Sequence, residues 1–382
     1  MIKPISVGVV GLRFGGEFPP IYRDHPQVSS VMVCDCDEEL LAAYAKRFRF
    51  GKVISDYDKL LESDIDAVHI VTGIPNHAEL VLKALSAGKH VACTVPMATS
   101  LDDMHAIVEA QRASGKCYMM METAIYTYQC LYAKQLIDEG KLGRIQYLRG
   151  THFQDMEGWP SYWMGLPPLH YATHAVAPLL HLSGTYATRV VCRGSGVMRP
   201  ELHAQYGNAF PIEHALIELN KPEIMAEITR SLFHTAIGYV EGFTVLGENM
   251  SFQWDIEDEP PYVSSVRTGD AGDLPGTYGR GRDIALSRAQ CPNREELLPE
   301  PIRKYTRQHT ILDPDNPHIS IKQGGGHHGS HPHMIHEYVR CVTEGLSPIT
   351  DAVTAARWTA VGVCAHQSAL MGGMPVDVPS FE

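Results

Sequence analysis

The sequence predicts an α/β protein, with an N-terminal doubly wound parallel sheet followed by a second domain built on a mostly antiparallel sheet. Three observations lead there. Short apolar runs alternate with amphipathic helical segments from Ile5 to Met121, the pattern of right-handed βαβ units. From Gln146 onward strand-like segments follow one another in series, as antiparallel strands do. A length of 382 residues exceeds what one hydrophobic core sustains, so two domains are expected. The alternation stops near Glu122, which sets the expected domains at 1–122 and 123–382, with the last helices free to pack back on the first domain.

The elements follow in order. Residues 5–11 are a continuous apolar run ending in glycine, as in a parallel strand buried on both faces. After Gly15-Gly16, residues 17–25 should open a helix with Pro19-Pro20 in its first turn. Ser30–Asp35 reads as the second strand. Glu38–Phe48 carries helical spacing, with Leu40, Leu41, Tyr44, Ala45 and Phe48 on one side. Ile65–Thr72 is a buried strand, His77–Ala87 a helix, Lys89–Cys93 a strand, Leu101–Ser114 a helix and Cys117–Met121 a strand. Met119-Met120-Met121 therefore reads as core. The later strands are Ile145–Phe153, Ala187–Gly194, His214–Leu219, Met225–Phe233 and Tyr239–Leu246. Residues 260–330, rich in Gly, Pro, Asp and Arg, are expected to be mainly loop. Helices return at Pro332–Thr343 and Thr350–Met371.

Composition narrows the function. A hydrophobic fraction of 44% with 20% charged residues is ordinary for a globular protein. A net charge of -12 speaks against nonspecific nucleic-acid binding, which needs clustered cations. No apolar run approaches the roughly 20 residues that cross a bilayer, and Met1-Ile2-Lys3-Pro4 enters a strand-like run without a signal-peptide core. Nine scattered cysteines without paired spacing suggest free thiols and a cytoplasmic location.

A glycine turn between a strand and a helix lets backbone amides approach a pyrophosphate. Here the turn is Gly11-Leu12-Arg13-Phe14-Gly15-Gly16, with Arg13 where the usual fingerprint has its middle glycine. Asp35 ends the second strand 24 residues after Gly11, near the ~20-residue offset of a carboxylate that grips an adenosine ribose. Such a carboxylate repels a 2′-phosphate, so NAD is favoured over NADP, although Arg13 can serve a phosphate. A helix N-cap or an exposed turn is the alternative for Asp35.

Farther along, His170 and His174 are four apart and would share one face of a helix. A paired-histidine metal site lacks a nearby acidic third ligand, so no metal is expected. The run Gly324 to His333 also lacks local carboxylates or cysteines; it reads as a glycine loop feeding a helix at Pro332. Arg280 and Arg282 fit either an anion contact or a solvated loop.

The strand with its glycine turn, Asp35, Thr72-Gly73-Ile74-Pro75-Asn76-His77, and Ala87-Gly88-Lys89-His90-Val91 ending at Pro96 together resemble the Gfo/Idh/MocA family. Leu142-Gly143-Arg144-Ile145, Asp351-Ala352 and Gly372-Gly373 extend the likeness over the chain. The resemblance implies an N-terminal Rossmann domain and a C-terminal α/β domain with a large, mostly antiparallel sheet. It implies NAD as cofactor, a sugar or glycoside as substrate, and a homodimer or homotetramer formed through the C-terminal sheet. Gly11, Arg13, Phe14, Gly15 and Asp35 would hold the adenosine and phosphate half. Thr72, Pro75, Asn76, His77, Val95, Pro96 and Glu122 would lie along the rest of the cofactor. Trp163, His328 and His331 would touch the sugar.

The family usually has Glu-Lys-Pro where this chain has Thr94-Val95-Pro96, and valine cannot donate, accept or titrate. The resemblance puts His174 near the reacting carbon, and an imidazole is suited to take a hydroxyl proton at neutral pH. Tyr171 and His170 are its expected auxiliaries. Val95-Pro96, Met120-Met121-Glu122 with Tyr126, and Tyr171-x-Thr173-His174 also resemble the NAD-dependent glycosidases of the same superfamily. On that reading Tyr126 joins the proton-handling groups, and Glu122 sits by the nicotinamide ribose or the sugar. A strand-end cap is the alternative for Glu122. Three outcomes stay open: net sugar oxidation, redox-neutral glycoside cleavage, and a dinucleotide-binding regulator without turnover.

Overall fold

The computed structural model describes residues 3–158, 165–267, 282–307, 309–311, 321–323 and 326–382. The chain forms two compact units, Met1–Thr127 with Asn293–Ala360 and Ser380–Glu382, and Tyr128–Pro292 with Val361–Pro379. The first unit thus takes back a long C-terminal segment, unlike a single division at residue 122.

The first unit opens with strands β1 (Ile5–Val10), β2 (Val28–Cys34), β3 (Val53–Ile54), β4 (Ala67–Ile70), β5 (His90–Thr94) and β6 (Tyr118–Met121). They form a parallel sheet ordered β3-β2-β1-β4-β5-β6. Every residue of β4 and β6 is buried, as continuous apolar strands covered on both faces must be. The intervening helices are α1 (Pro19–Asp24), α2 (Glu38–Phe48), α3 (Tyr57–Glu62), α4 (His77–Ser86) and α5 (Leu101–Ser114). α2 is capped by the Asp37 carboxylate on the Leu40 N–H, and α5 by Ser100 on the Asp103 N–H, the side-chain caps that satisfy orphan amides. α5 ends at Gly115 in the left-handed conformation. Within residues 17–25, α1 opens on Pro19-Pro20 as expected, preceded by a 3-10 turn at Phe14–Glu17.

The second unit holds α6 (Tyr128–Asp138), β7 (Ile145–Phe153), α7 (Thr173–Ser183), β8 (Ala187–Ser195), α8 (Pro200–Tyr206), β9 (Ile212–Leu219), β10 (Met225–Ser231), β11 (Val240–Gly247), β12 (Met250–Trp254), β13 (Tyr262–Val266) and β14 (Ile284–Arg288). β13 and β14 correct the expectation that residues 260–330 are mainly loop: each is only five residues long, too short a signal to stand out from Gly- and Pro-rich surroundings. The chain then returns to the first unit with α9 (Glu300–Arg303), the hairpin β15 (His309–Ile311) and β16 (Ile321–Gln323), and α10 (Ser330–Glu344). α11 (Ala352–Leu370) and β17 (Val376–Asp377) complete the set.

The second unit's nine-stranded sheet runs β14-β13-β12-β11-β7-β10-β9-β8-β17. It is antiparallel except for the pairing of β7 with β10. α7 lies on its inner face and approaches most closely at Gly150 of β7, where a Cβ would stand 2.0 Å from the Ala175 carbonyl oxygen. Only a glycine admits that approach. Gly150→Ala should therefore destabilise the protein by roughly 1–3 kcal/mol, read as a lower denaturation midpoint; an unchanged midpoint would contradict this packing.

Candidate cofactor and proton-transfer sites

The glycine turn is built from the end of β1. Gly11 adopts φ +90°, and a Cβ there would stand 2.3 Å from the Val71 carbonyl oxygen. At Gly15 a Cβ would meet the Val71 Cβ at 2.8 Å. Both glycines are required by the close passage of this turn over the end of β4. Asp35 follows β2 and is half-buried; its carboxylate accepts from the Leu12 N–H at 2.7 Å and from the Asp37 N–H at 2.9 Å. The N-cap of α2 is Asp37, so the capping alternative for Asp35 does not apply. Each Asp35 oxygen keeps a lone pair for a ribose hydroxyl. Arg13 is exposed and reaches the Asp37 carboxylate at 3.4 Å. Phe14, also exposed, packs edge-on against Phe18, His327 and His331. These features fit a dinucleotide: a backbone cradle closed to side chains, beside a carboxylate already oriented by two amides.

His77 is fully buried, with Nδ1 2.8 Å from the Pro96 carbonyl oxygen and Nε2 3.1 Å from that of Thr72. In its neutral form one of the two nitrogens donates to its carbonyl, bracing the loops that carry Thr72 and Val95-Pro96. Burial lowers its pKa, opposed by the two carbonyls. Pro75 and Asn76 lie in the 3-10 turn just before α4. Val95 is buried, ahead of a cis bond to Pro96. Glu122 is wholly buried and caps the turn Thr123–Ile125 through the Ala124 N–H at 3.0 Å. Tyr126 is buried in this unit; burial, then the Glu337 carboxylate of α10, push its pKa well up.

His331 is only 1% exposed; its Nδ1 lies 3.2 Å from Glu17 Oε2, and its ring packs on Phe14 and Phe18. Its neighbour His328 stands in a turn where His327, His328 and Gly329 all have positive φ. Trp163, Arg280, Gly324 and Gly325 lie outside the described residues.

In the second unit a polar row crosses four strands. Glu213 of β9 pairs in register with Arg230 of β10, Arg230 with His152 of β7, and His152 with Glu241 of β11. All four are buried on the face that carries α7. Arg230 donates from Nε to the Tyr171 carbonyl at 3.2 Å, from Nη1 to the carbonyls of His152 at 3.2 Å and Ser231 at 2.7 Å, and from Nη2 to Gln154 Oε1 at 3.1 Å. Burial lowers its pKa to about 10, resisted by Tyr239, Tyr171 and Glu241.

His174, in the first turn of α7, stands above this row. Its Nε2 lies 3.3 Å from the Tyr171 hydroxyl and 3.6 Å from Glu241 Oε1. The Tyr239 hydroxyl donates to the same Glu241 oxygen, and the Glu241 N–H to Glu257 Oε2 at 2.8 Å. The His152 ring packs against the rings of His174 and Tyr171 at 4.9 and 5.8 Å. His170 does not share a helical face with His174, because a 3-10 turn at Pro168–Tyr171 ends at Ala172 before α7 begins. It packs instead on His366 at 5.2 Å, and burial with the His366 charge lowers its pKa to about 4. Glu241, His152 and Arg230 escaped the sequence reading. Their signal is a titratable residue at an inward phase of an otherwise apolar strand, as in Val240-Glu241-Gly242-Phe243.

Among the described residues no group of three His, Cys, Asp or Glu side chains is arranged to hold a metal, and no helix is long and apolar enough to cross a membrane. All nine cysteines are free.

A glycine cradle on a parallel sheet beside an oriented carboxylate is the arrangement of an NAD-binding Rossmann domain. Residues 5–122 match the Gfo/Idh/MocA family model, described as "Oxidoreductase family, NAD-binding Rossmann fold". It is 24% identical over 411 residues to glycosyl hydrolase family 109 protein 1 of Bacteroides thetaiotaomicron, covering 100% of this chain and 85% of that one. A glycosyl hydrolase family 109 protein of Porphyromonas gingivalis is 23% identical, again over 100% and 85%. Among solved structures, a levoglucosan dehydrogenase in complex with NADH and levoglucosan aligns with a TM-score of 0.76 at 21% identity, covering 99% and 100%. Myo-inositol 2-dehydrogenase of Lactobacillus plantarum aligns at 0.71 and 18%, with the same coverage. At such identities the two structures carry the fold alone.

If Asp35 grips the ribose, Asp35→Ala should weaken NAD binding about 10–100-fold, the worth of a hydrogen bond to a charged group. Isothermal titration with NAD checks this; equal affinity would remove Asp35 from the cofactor site.

Proposed function

We propose that this protein is an NAD-dependent enzyme that oxidises a secondary ring hydroxyl, such as C3, of a sugar or glycoside. The observation that carries the reading is buried His174 and Glu241 with half-buried Tyr171: a proton acceptor, His174 Nε2, that has both a hydroxyl and a carboxylate beside it. When bound, NAD supplies hydride acceptance. Gly11, Arg13, Phe14, Gly15 and Asp35 would hold its adenosine and phosphate half, and Thr72, Pro75, Asn76, Val95, Pro96 and Glu122 would border the remainder, with His77 bracing the loops beneath.

His174 Nε2 takes the hydroxyl proton, directly or through Tyr171. The imidazolium so formed is stabilised by the Glu241 carboxylate, since an opposite charge in a low-dielectric site favours the charged form. Tyr239 keeps Glu241 aimed, and its own pKa is raised well above the usual phenol by burial and then by Glu241. Tyr239 therefore remains a donor.

A second reading, redox-neutral glycoside cleavage through transient oxidation, elimination, water addition and re-reduction, is favoured by the full-length similarity to the family 109 glycosyl hydrolases. Net dehydrogenation accumulates NADH, whereas the closed cycle releases aglycone without it. Following NADH absorbance and nitrophenol release over a panel of sugars and nitrophenyl glycosides separates the two. Binding of NAD with neither signal would favour a regulator. A homodimer or homotetramer accords with Leu216 and Met225, exposed apolar side chains on the outward face of the nine-stranded sheet, and a cytoplasmic location with nine free cysteines.

His174→Ala should lower turnover about 10²–10⁴-fold, the usual worth of a general base, while NAD affinity stays at the wild-type value. Full activity in that variant would exclude His174 as the base.

A further inference from the structure

The turn that carries Tyr171 is gripped at both ends by the sheet beneath it. At its start, the Leu169 N–H donates to Glu213 Oε2 at 3.0 Å. At its end, the Tyr171 carbonyl accepts from Arg230 Nε at 3.2 Å. Glu213 and Arg230 are register partners across β9 and β10, both wholly buried. The turn is only four residues, begins with two prolines and has no side-chain cap of its own. Glu213 therefore supplies at long range the acceptor that a capping residue would supply locally.

Glu213 is itself held. Its other oxygen lies 2.6 Å from Nδ1 of His366, in the second unit's part of α11. One turn earlier, Gly362 lets α11 press on the same residue: a Cβ there would stand 1.9 Å from the Leu169 carbonyl oxygen. Leu169 is thus hydrogen-bonded through its N–H and closely packed at its carbonyl. The groups facing Glu213 are Arg230 from β10, His366 from α11 and the Cys192 thiol from β8. Burial, then the Glu213 charge, push that thiol up to about 12.

We propose that Glu213, oriented by His366, is a positioning residue for proton transfer: it fixes the Leu169–Tyr171 turn and thereby sets the Tyr171 hydroxyl against His174 Nε2. This rests on the assignment of Tyr171 and His174 to the reaction. Glu213 touches neither ring, so it acts through the backbone. Losing its grip leaves the turn held at the Tyr171 end alone, and displacements of about 1 Å at a reacting group cost on the order of 10²-fold in rate.

The test compares E213L, which removes the acceptor, with E213Q, whose amide oxygen still accepts from Leu169 and whose NH₂ can donate to His366 in its other tautomer. Turnover is read on the sugar and nitrophenyl glycoside panel with NAD present. The His174 ring resonances, assigned by their loss in H174A, are read by NMR. E213L should lower kcat about 10²-fold with KM and NAD affinity unchanged, and should shift the His174 resonances. E213Q should restore both toward wild type. Equal kcat in E213L and wild type, or failure of E213Q to restore it, would overturn the positioning role while leaving the proposed activity standing. If wild type turns over nothing, the activity reading fails, and the His174 resonances still decide the coupling: a shift in E213L that E213Q reverses supports it, and unmoved resonances overturn it. Should E213L not fold, H366L strips the carboxylate of its second partner at a partly exposed side chain. A lower kcat with shifted His174 resonances in H366L then supports the positioning role, and wild-type values of both overturn it.

Discussion

The second unit is organised around a guanidinium that has no access to water. Taking an ion out of water costs several kcal/mol even after relaxation, and the cost is tolerated only where donors find acceptors. Arg230 meets that demand by drawing in three carbonyls and one amide oxygen, two of them from residues of neighbouring strand and turn. The neighbouring carboxylates of Glu213 and Glu241 close the row at its ends. Satisfying Arg230 brings the turn of Tyr171 down onto the sheet, and α7 continues from that turn with His174 in its first residues. Order at the reacting groups is thus a by-product of solvating a buried charge with protein.

The nucleotide end obeys a different constraint, one of volume rather than charge. Gly11 and Gly15 are dictated by how closely the turn passes Val71. The same backbone conformation points the Leu12 amide at Asp35, so the cradle and the carboxylate are joined before any ligand arrives. His77 performs a comparable task with a side chain, its buried ring lodged between the Pro96 and Thr72 carbonyls.

Much of this was legible in the sequence because periodicity reports burial. Helices Glu38–Phe48 and Leu101–Ser114 and strand Ile145–Phe153 begin and end where their patterns do. Gly11 and Asp35 were legible because their spacing encodes a mechanism. The polar row was not, since Glu213, Arg230, His152 and Glu241 are far apart in the chain and meet only through strand register. The break at Ala172 was also hidden: an i, i+4 spacing presumes one continuous helix, and the prolines at 167 and 168 favour a 3-10 start instead. Strands β13 and β14 escaped because Gly- and Pro-rich surroundings mask segments of only five residues each.

The return of Asn293–Ala360 to the first unit has a consequence for synthesis. The second unit is an insertion within the first, and the last piece of the second, Val361–Pro379, comes later still. A chain leaving the ribosome therefore cannot complete either core in order from its N-terminus, as successive contiguous domains do. The dinucleotide sheet waits for α10, and the nine-stranded sheet waits for its edge strand β17, so neither unit is complete until these late segments are made. A fragment cut after Thr127 would carry the glycine cradle without the helix that packs against it.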